Sequence, residues 1–171
     1  MKILGIDPGS HTTGYGIVEK AGSRLVHICD GQICAPASLP LSERLYAIST
    51  ALNGIIEEHS PDGVSVESIF FSKNVKSAVM LAHARGVSML SAAKHGLPVF
   101  EYAPMSIKKA VTGFGAATKE QVQKMVMALL SCQASEGADA SDALAIAICH
   151  INHCRPGAPS ARPGRKAAAR R

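Results

Sequence analysis

Four carboxylates stand where the chain changes from one kind of segment to another, and their chemistry depends on whether they meet. Asp7 closes the short apolar run Lys2-Ile3-Leu4-Gly5-Ile6 just before Pro8-Gly9, and Glu67 closes Val64-Ser65-Val66. Asp139 and Asp142 are three residues apart at the start of a third apolar segment, so both project from one face of a first helical turn. Each has a plain alternative. An aspartate before Pro-Gly caps turns through its own backbone contacts. Acids at a helix N-terminus satisfy free N–H groups and the helix dipole. Gathered in one place, however, each like-charged pair at about 4 Å costs roughly 4 kcal/mol at an effective dielectric near 20. Such a cluster must take up protons or hard cations. All-oxygen ligands select Mg²⁺ or Mn²⁺ over zinc. An open site of this kind suits a pair of ions about 3.5–4 Å apart acting on a phosphate ester.

The elements that must position these acids can be read from apolar periodicity. Residues 2–6 are too short for a helix and suit a buried strand, and Gly14-Tyr15-Gly16 opens the return strand Thr12 to Val18. Ala21-Gly22-Ser23 then turns into a third strand, Arg24 to Cys34, completing an antiparallel meander. Leu41, Leu45, Ile48, Leu52, Ile55 and Ile56 predict an amphipathic helix over 41–59. Val64–Val66 is a fourth strand. An irregular stretch with Phe70, Phe71, Lys73 and Lys76 leads to a long helix ending near His95. Val99–Tyr102 is a fifth strand, closed by Ala103-Pro104. A short helix from Ser106 to Val111 and a flexible loop, Gly113-Phe114-Gly115, come next. Thr118-Lys119-Glu120-Gln121 has the capping-box pattern and starts a helix to about Leu130. The last helix runs from near Asp139 to near Cys154. Three meandering strands followed by alternating helix and strand predict an α/β domain, residues 1–154. Its mixed sheet has helices on both faces. Ligand-facing groups gather at the carboxyl ends of parallel strands, where Asp7 and Glu67 stand.

Charge divides the chain unevenly. Of the +5 formal charge, residues 155–171 supply +6 from six Arg and Lys with no acid, leaving 12 basic against 13 acidic side chains in the body, a net of −1. The tail, rich in Pro, Gly, Ala and Arg, lacks the apolar content to fold and is expected to be disordered. The body must therefore meet any anionic partner with locally placed lysines. No run of apolar residues is long enough to span a membrane, and no signal-peptide layout opens the chain. Five cysteines, an odd number in a chain with ample apolar content, predict reduced thiols and a cytoplasmic protein.

Four motifs together carry a resemblance. Ile6-Asp7-Pro8-Gly9 with Gly14-Tyr15-Gly16, Val66-Glu67-Ser68-Ile69-Phe70, Ala84-Arg85-Gly86, and Ala138-Asp139-Ala140-Ser141-Asp142-Ala143-Leu144-Ala145 resemble the RuvC family of bacterial Holliday junction resolvases. Order and spacing match from residue 1 to about 151. The resemblance implies an RNase H-like fold with three antiparallel strands and then two parallel ones. It also implies a homodimer in which two Mg²⁺ ions per site, with Mn²⁺ as a substitute, support paired nicks in opposed strands of a four-way DNA junction. Asp7, Glu67, Asp139 and Asp142 match the family's metal-binding acids. Lys108 and Lys119 match positions used near the scissile phosphate, and Phe70 matches the aromatic expected against a base. The RuvA–RuvB branch-migration motor is the implied partner.

The remaining signals are weighed beside this one. Aromatics after Glu67 suit stacking on or wedging between bases, with burial under the loop as the alternative. Lys73 and Lys76 join Lys108 and Lys119 as expected phosphate contacts. Val75, Val79, Ala82, Gly86, Met89 and Ala93 recur close to a heptad seam, beside a second strip of Ala78, Leu81 and Leu90. One strip can face the sheet and the other then needs a partner. A two-fold dimer through this helix would give two sites for two strands. Cys149-His150-Ile151-Asn152-His153-Cys154 has zinc-type residues, but neighbours on a helix point apart, so all four cannot reach one ion. His11 reads as a polar turn residue. Asp7-Pro8-Gly9 with Gly14 also resembles the phosphate-cradling hairpin of sugar-kinase and actin-like folds, which need a second half that 171 residues cannot supply. A silent DNA-structure-binding module and a general RNase H-like nuclease are the other readings.

Overall fold

The computed structural model describes residues 1–9, 11–68, 75–132 and 137–154. Five strands form one sheet: β1 (Lys2–Asp7), β2 (Thr12–Ala21), β3 (Arg24–Cys34), β4 (Gly63–Glu67) and β5 (Val99–Tyr102). Their order is β3-β2-β1-β4-β5. The first three pair antiparallel, and β1, β4 and β5 pair parallel. This is the expected mixed sheet. Its parallel strands bring Asp7, Glu67 and Tyr102 to the same rim.

The two-residue period of β1 sorts its side chains. Leu4 and Ile6 join Ile17, Ile33, Val64 and Val66 in one core, covered by α1 (Leu41–His59) and α2 (Val75–Lys94). Ile3 joins Val18 in the other, beneath α3 (Pro104–Thr112), α4 (Lys119–Leu130) and α5 (Ala138–His153). In α1 the buried positions Arg44, Ile48, Leu52 and Ile56 recur every fourth residue, the ridge that fits the sheet. The capping box of α4 forms as predicted: Thr118 Oγ1 accepts the Gln121 N–H at 3.3 Å, and Gln121 Oε1 accepts the Thr118 N–H at 2.9 Å.

Three details depart from expectation. Pro104 begins α3 where the sequence suggested only a strand stop, because proline's fixed φ suits a first helical turn. The loop at Gly113-Phe114-Gly115 is pinned and not free: Thr112 Oγ1 accepts the Phe114 N–H at 3.2 Å and donates to its carbonyl at 3.0 Å. The third concerns α2. Its buried residues are Ala84, Ser88, Ser91 and Ala92, and neither predicted strip faces the core. Leu90 is 66% exposed, as are Val75 (75%) and Val79 (49%) of the heptad seam. The close approach to α1, where Ser49 Oγ lies 3.4 Å from Ser91 Oγ, admits only small side chains.

Candidate metal centre

Strand period and helix approach together build the site. Asp7 alternates with Gly5 and Ile3, and therefore faces α5, not α1. Glu67 shares that face with Ser65, whose hydroxyl donates to the Ile146 carbonyl of α5 at 3.3 Å. Helix α5 lies unusually close to the sheet because the strands beneath it offer glycine. A Cβ on Gly5 would overlap the Ala143 carbonyl, one on Gly14 the Asp139 backbone, and one on Gly16 would lie 2.7 Å from the Leu144 side chain. Gly5 pairs with Gly16, and Asp7 with Gly14, so this bare patch leads directly to the acid.

Both capping alternatives are answered by geometry. Thr13 holds the turn after Asp7, its hydroxyl donating to the Gly9 carbonyl at 2.8 Å and accepting the Gly9 N–H at 3.3 Å. The N-cap of α5 is Gly137, with no side-chain cap bond. Instead, carboxylate oxygens of Asp7, Asp139 and Asp142 lie within 4.8 Å of one another. Glu67 stands outside that trio, but lines one pocket with Asp7, Asp142, Lys108 and Lys119. Pro104, Ile107, Val122, Ala145 and Ile146 form the pocket's apolar wall.

The electrostatic cost of this gathering falls on Asp7. Burial first, then the charges of Asp142, Glu67 and Asp139, push its carboxyl up from 3.8 to about 7, against a smaller opposing pull from Lys119. Glu67 is also raised, by burial and then by Asp142, while Lys108 and Lys119 oppose the rise. Lys119 Nζ meets Asp142 Oδ2 at 2.6 Å, and this hydrogen bond is the main cause of its own raised pKa. A carboxyl raised first by burial and then by three other acids, in a trio that offers only oxygen ligands, is a donor set that suits a hard cation.

Lys108 and Lys119 line the acidic pocket. Lys76 is exposed on the first turn of α2 and is not among the pocket's lining residues. Phe70, Phe71, Lys73 and the tail from residue 155 lie outside the described residues. The Cys/His run behaves as helix geometry requires. Cys149 Sγ contacts His153 Nδ1 at 3.6 Å and Cys154 Sγ contacts His150 Nε2 at 3.2 Å, two separate pairs. His150 is buried, stacks on Phe100 with ring centroids 4.0 Å apart, and meets the Tyr102 hydroxyl at 2.8 Å. His11, beside Arg44 at 3.4 Å, remains a turn residue.

Two contacts at the site were not foreseen, although Arg85 lies in the Ala84-Arg85-Gly86 motif. Gln32 Nε2 on β3 donates to Asp139 Oδ2 at 3.3 Å across 107 residues of chain. Arg85 Nε donates to the Glu67 carbonyl at 3.3 Å while its guanidinium pairs with Glu101, stapling α2 to the ends of β4 and β5. The Gln32 contact emerges only from pairing register.

An RNase H-like sheet with a carboxylate cluster at the rim of its parallel strands defines the class: a metal-dependent nuclease. The family model for crossover junction endodeoxyribonuclease RuvC matches residues 3–150. The RuvC of Pelobacter propionicus is 52% identical over 152 residues, covering 89% of this chain and 86% of that protein. The RuvC of Myxococcus xanthus is 50% identical over 163 residues, covering 94% and 85%. The structure of Thermus thermophilus RuvC in complex with a Holliday junction substrate superposes with a TM-score of 0.84 at 32% identity, covering 88% of this chain and 93% of that one. The chain belongs to the RuvC family of crossover junction endodeoxyribonucleases, and its function is Holliday junction resolution in DNA recombination and repair. Among the described residues no helix is long and apolar enough to cross a membrane.

Proposed function

We propose that this chain works as a cytoplasmic homodimer that nicks two opposed strands of a four-way junction symmetrically, using two Mg²⁺ ions per site. The products would be a 5′-phosphate and a 3′-hydroxyl, ends that a ligase can reseal. The observation carrying this reading is the trio of carboxylate oxygens from Asp7, Asp139 and Asp142 within 4.8 Å of one another. Asp7, Glu67, Asp139 and Asp142 are the groups that would hold the ions. When bound, such ions supply a nucleophilic water at neutral pH and stabilise the leaving oxygen.

The chain's own residues do the rest. The sheet rim fixes Asp7 and Glu67, and the first two turns of α5 fix the other two acids, so little reorganisation is needed when a phosphate arrives. Lys108 and Lys119 offset phosphate charge at the pocket mouth. Lys119 pairs with Asp142; with that carboxylate engaged by a cation, Lys119 would be available to phosphate. The apolar wall of Ile107, Val122 and Ile146 limits water access from behind. Phe70, Lys73 and Lys76 are the proposed contacts to bases and phosphates along the junction arm.

The dimer reading rests on α2, where Val75, Val79 and Leu90 leave an apolar strip exposed. A second copy covering it isologously would present two sites for two strands. Family membership supports a partnership with the RuvA–RuvB motor. The decisive experiment offers the protein a synthetic four-way junction and a linear duplex of the same sequence, with and without Mg²⁺. Paired nicks in the junction alone, dependent on Mg²⁺, are expected. Equal cutting of both substrates would make this a general nuclease, and binding without cutting a silent structure-binding module.

A further inference from the structure

Gln32 lies on edge strand β3, opposite Gly14 in the register, and Gly14 in turn sits beside Asp7. With no side chain on Gly14, the Gln32 amide reaches across to the first turn of α5. There its Nε2 donates to Asp139 Oδ2 at 3.3 Å. A second feature of the backbone makes room for it. Gly137, the N-cap of α5, has φ +114, and a Cβ on it would lie 2.3 Å from Gln32 Nε2 and 2.7 Å from Cδ. The start of α5 is therefore shaped around this amide. Asp139 sits two residues into the helix, whose N-cap, Gly137, makes no side-chain cap bond.

The geometry points to Gln32 as a positioning residue for the metal centre, holding the Asp139 carboxylate turned toward Asp7 and Asp142. This rests on the reading of those acids as cation ligands. By donating to one oxygen, the amide leaves the other oxygen for an ion and restricts rotation of the carboxylate. Outer-shell donors of this kind typically contribute 10–100-fold in metal affinity or activity. An exposed bond of 3.3 Å belongs at the lower end of that range.

The test is Mn²⁺ binding to the full chain without DNA, read from loss of the free-ion electron paramagnetic resonance signal. Gln32→Leu removes the donor with a side chain one atom shorter, and Gln32→Met, which keeps the length, serves as the second variant if the first folds poorly. The expected result is a Kd for Mn²⁺ raised about tenfold. Melting in EDTA and junction affinity in EDTA should stay at wild-type values. In cleavage assays the Mg²⁺ concentration at half-saturation should rise in parallel, with kcat at saturating metal nearly unchanged. An unchanged Mn²⁺ Kd overturns the proposal, and so does a loss confined to junction affinity in EDTA, which would make Gln32 a DNA contact. If wild type binds Mn²⁺, Asp7→Asn does not, and Gln32→Leu binds as wild type, only the Gln32 assignment fails. If wild type binds no Mn²⁺, the metal centre fails with it.

Discussion

Helices α5 and α2 cover opposite faces of one sheet and are built on opposite principles. In α5, eleven of sixteen residues are buried, all the way round the helix, and its backbone rests against glycines. In α2, four of twenty are buried, all of them Ala or Ser, while larger apolar side chains look outward. Burial on every side leaves α5 one position, and that position carries Asp139 and Asp142 to Asp7. A small-residue contact leaves α2 lightly held, with its larger apolar side chains exposed. The difference separates a helix that fixes two of the acids from one that leaves its larger apolar side chains exposed. Mutations should divide along the same line.

The largest effect should come from the acid that α5 is pressed against. Asp7→Asn is expected to lower the cleavage rate on a four-way junction by about 10³-fold, equivalent to about 4 kcal/mol of transition-state stabilisation. Junction binding in a gel-shift assay should persist, because the lysines remain. Normal cleavage by this variant with Mg²⁺ would remove the chemical reason for the whole α5 arrangement. Next in size is the packing itself. Gly5→Ala sets a Cβ against the Ala143 carbonyl and 2.8 Å from the Ala147 nitrogen, contacts that backbone cannot easily yield. A loss of about 2–3 kcal/mol is expected, seen as a melting temperature lower by roughly 5–10 °C. Wild-type melting for Gly5→Ala would show that α5 is free to shift.

On the other face the same kind of insult should spare the fold. Leu90→Glu places a charge where 66% of the side chain is already in solvent. Monomer stability should change by no more than about 0.5 kcal/mol, whereas sedimentation should show dimer converted to monomer and paired nicking reduced to single, uncoupled nicks. A variant that stays dimeric would move the interface off this strip and weaken the contrast between the two helices.

How much of this was legible in the sequence follows from what each feature needs. Asp7 and Glu67 at strand ends, the Asp139/Asp142 pair and the capping box at Thr118 are local patterns, and all appear in the structure at their expected places. The face of α2 was misjudged because periodicity shows that a strip is apolar, not which strip is covered. The choice was made by α1, through Ser49 and its neighbours, and nothing near α2 in sequence encodes it. Gly5, Gly14 and Gly16 could be noticed as glycines, but their shared purpose emerges only when β1 and β2 are paired in register. Gln32 is the extreme case, a polar residue on an edge strand whose partner lies 107 residues away.

The smallest predicted effect tests whether the α5 face is electrostatically tight as well as sterically tight. Two groups there respond to pH in opposite senses. Asp7, raised from 3.8 to about 7, favours the folded state when protonated. Its contribution to stability is fully present below pH 3.8 and is lost as the pH rises through about 7. His150, lowered from 6.5 to about 4 by burial and then by His153, favours the folded state when neutral. Its contribution is present above pH 6.5 and lost as the pH falls through about 4. Between pH 8 and 6.5 the Asp7 effect is therefore unopposed by His150. In EDTA the wild-type melting temperature should climb by roughly 2–3 °C as the pH falls through that window, and Asp7→Asn should climb less. Adding Mg²⁺ should raise the wild-type melting temperature most at pH 8, where the carboxylates are charged and a cation relieves them. Parallel pH profiles for wild type and Asp7→Asn in EDTA would mean that neither burial nor the neighbouring acids perturb Asp7 much. The close approach of α5 would then be a matter of packing alone, and the metal reading would lose its electrostatic support.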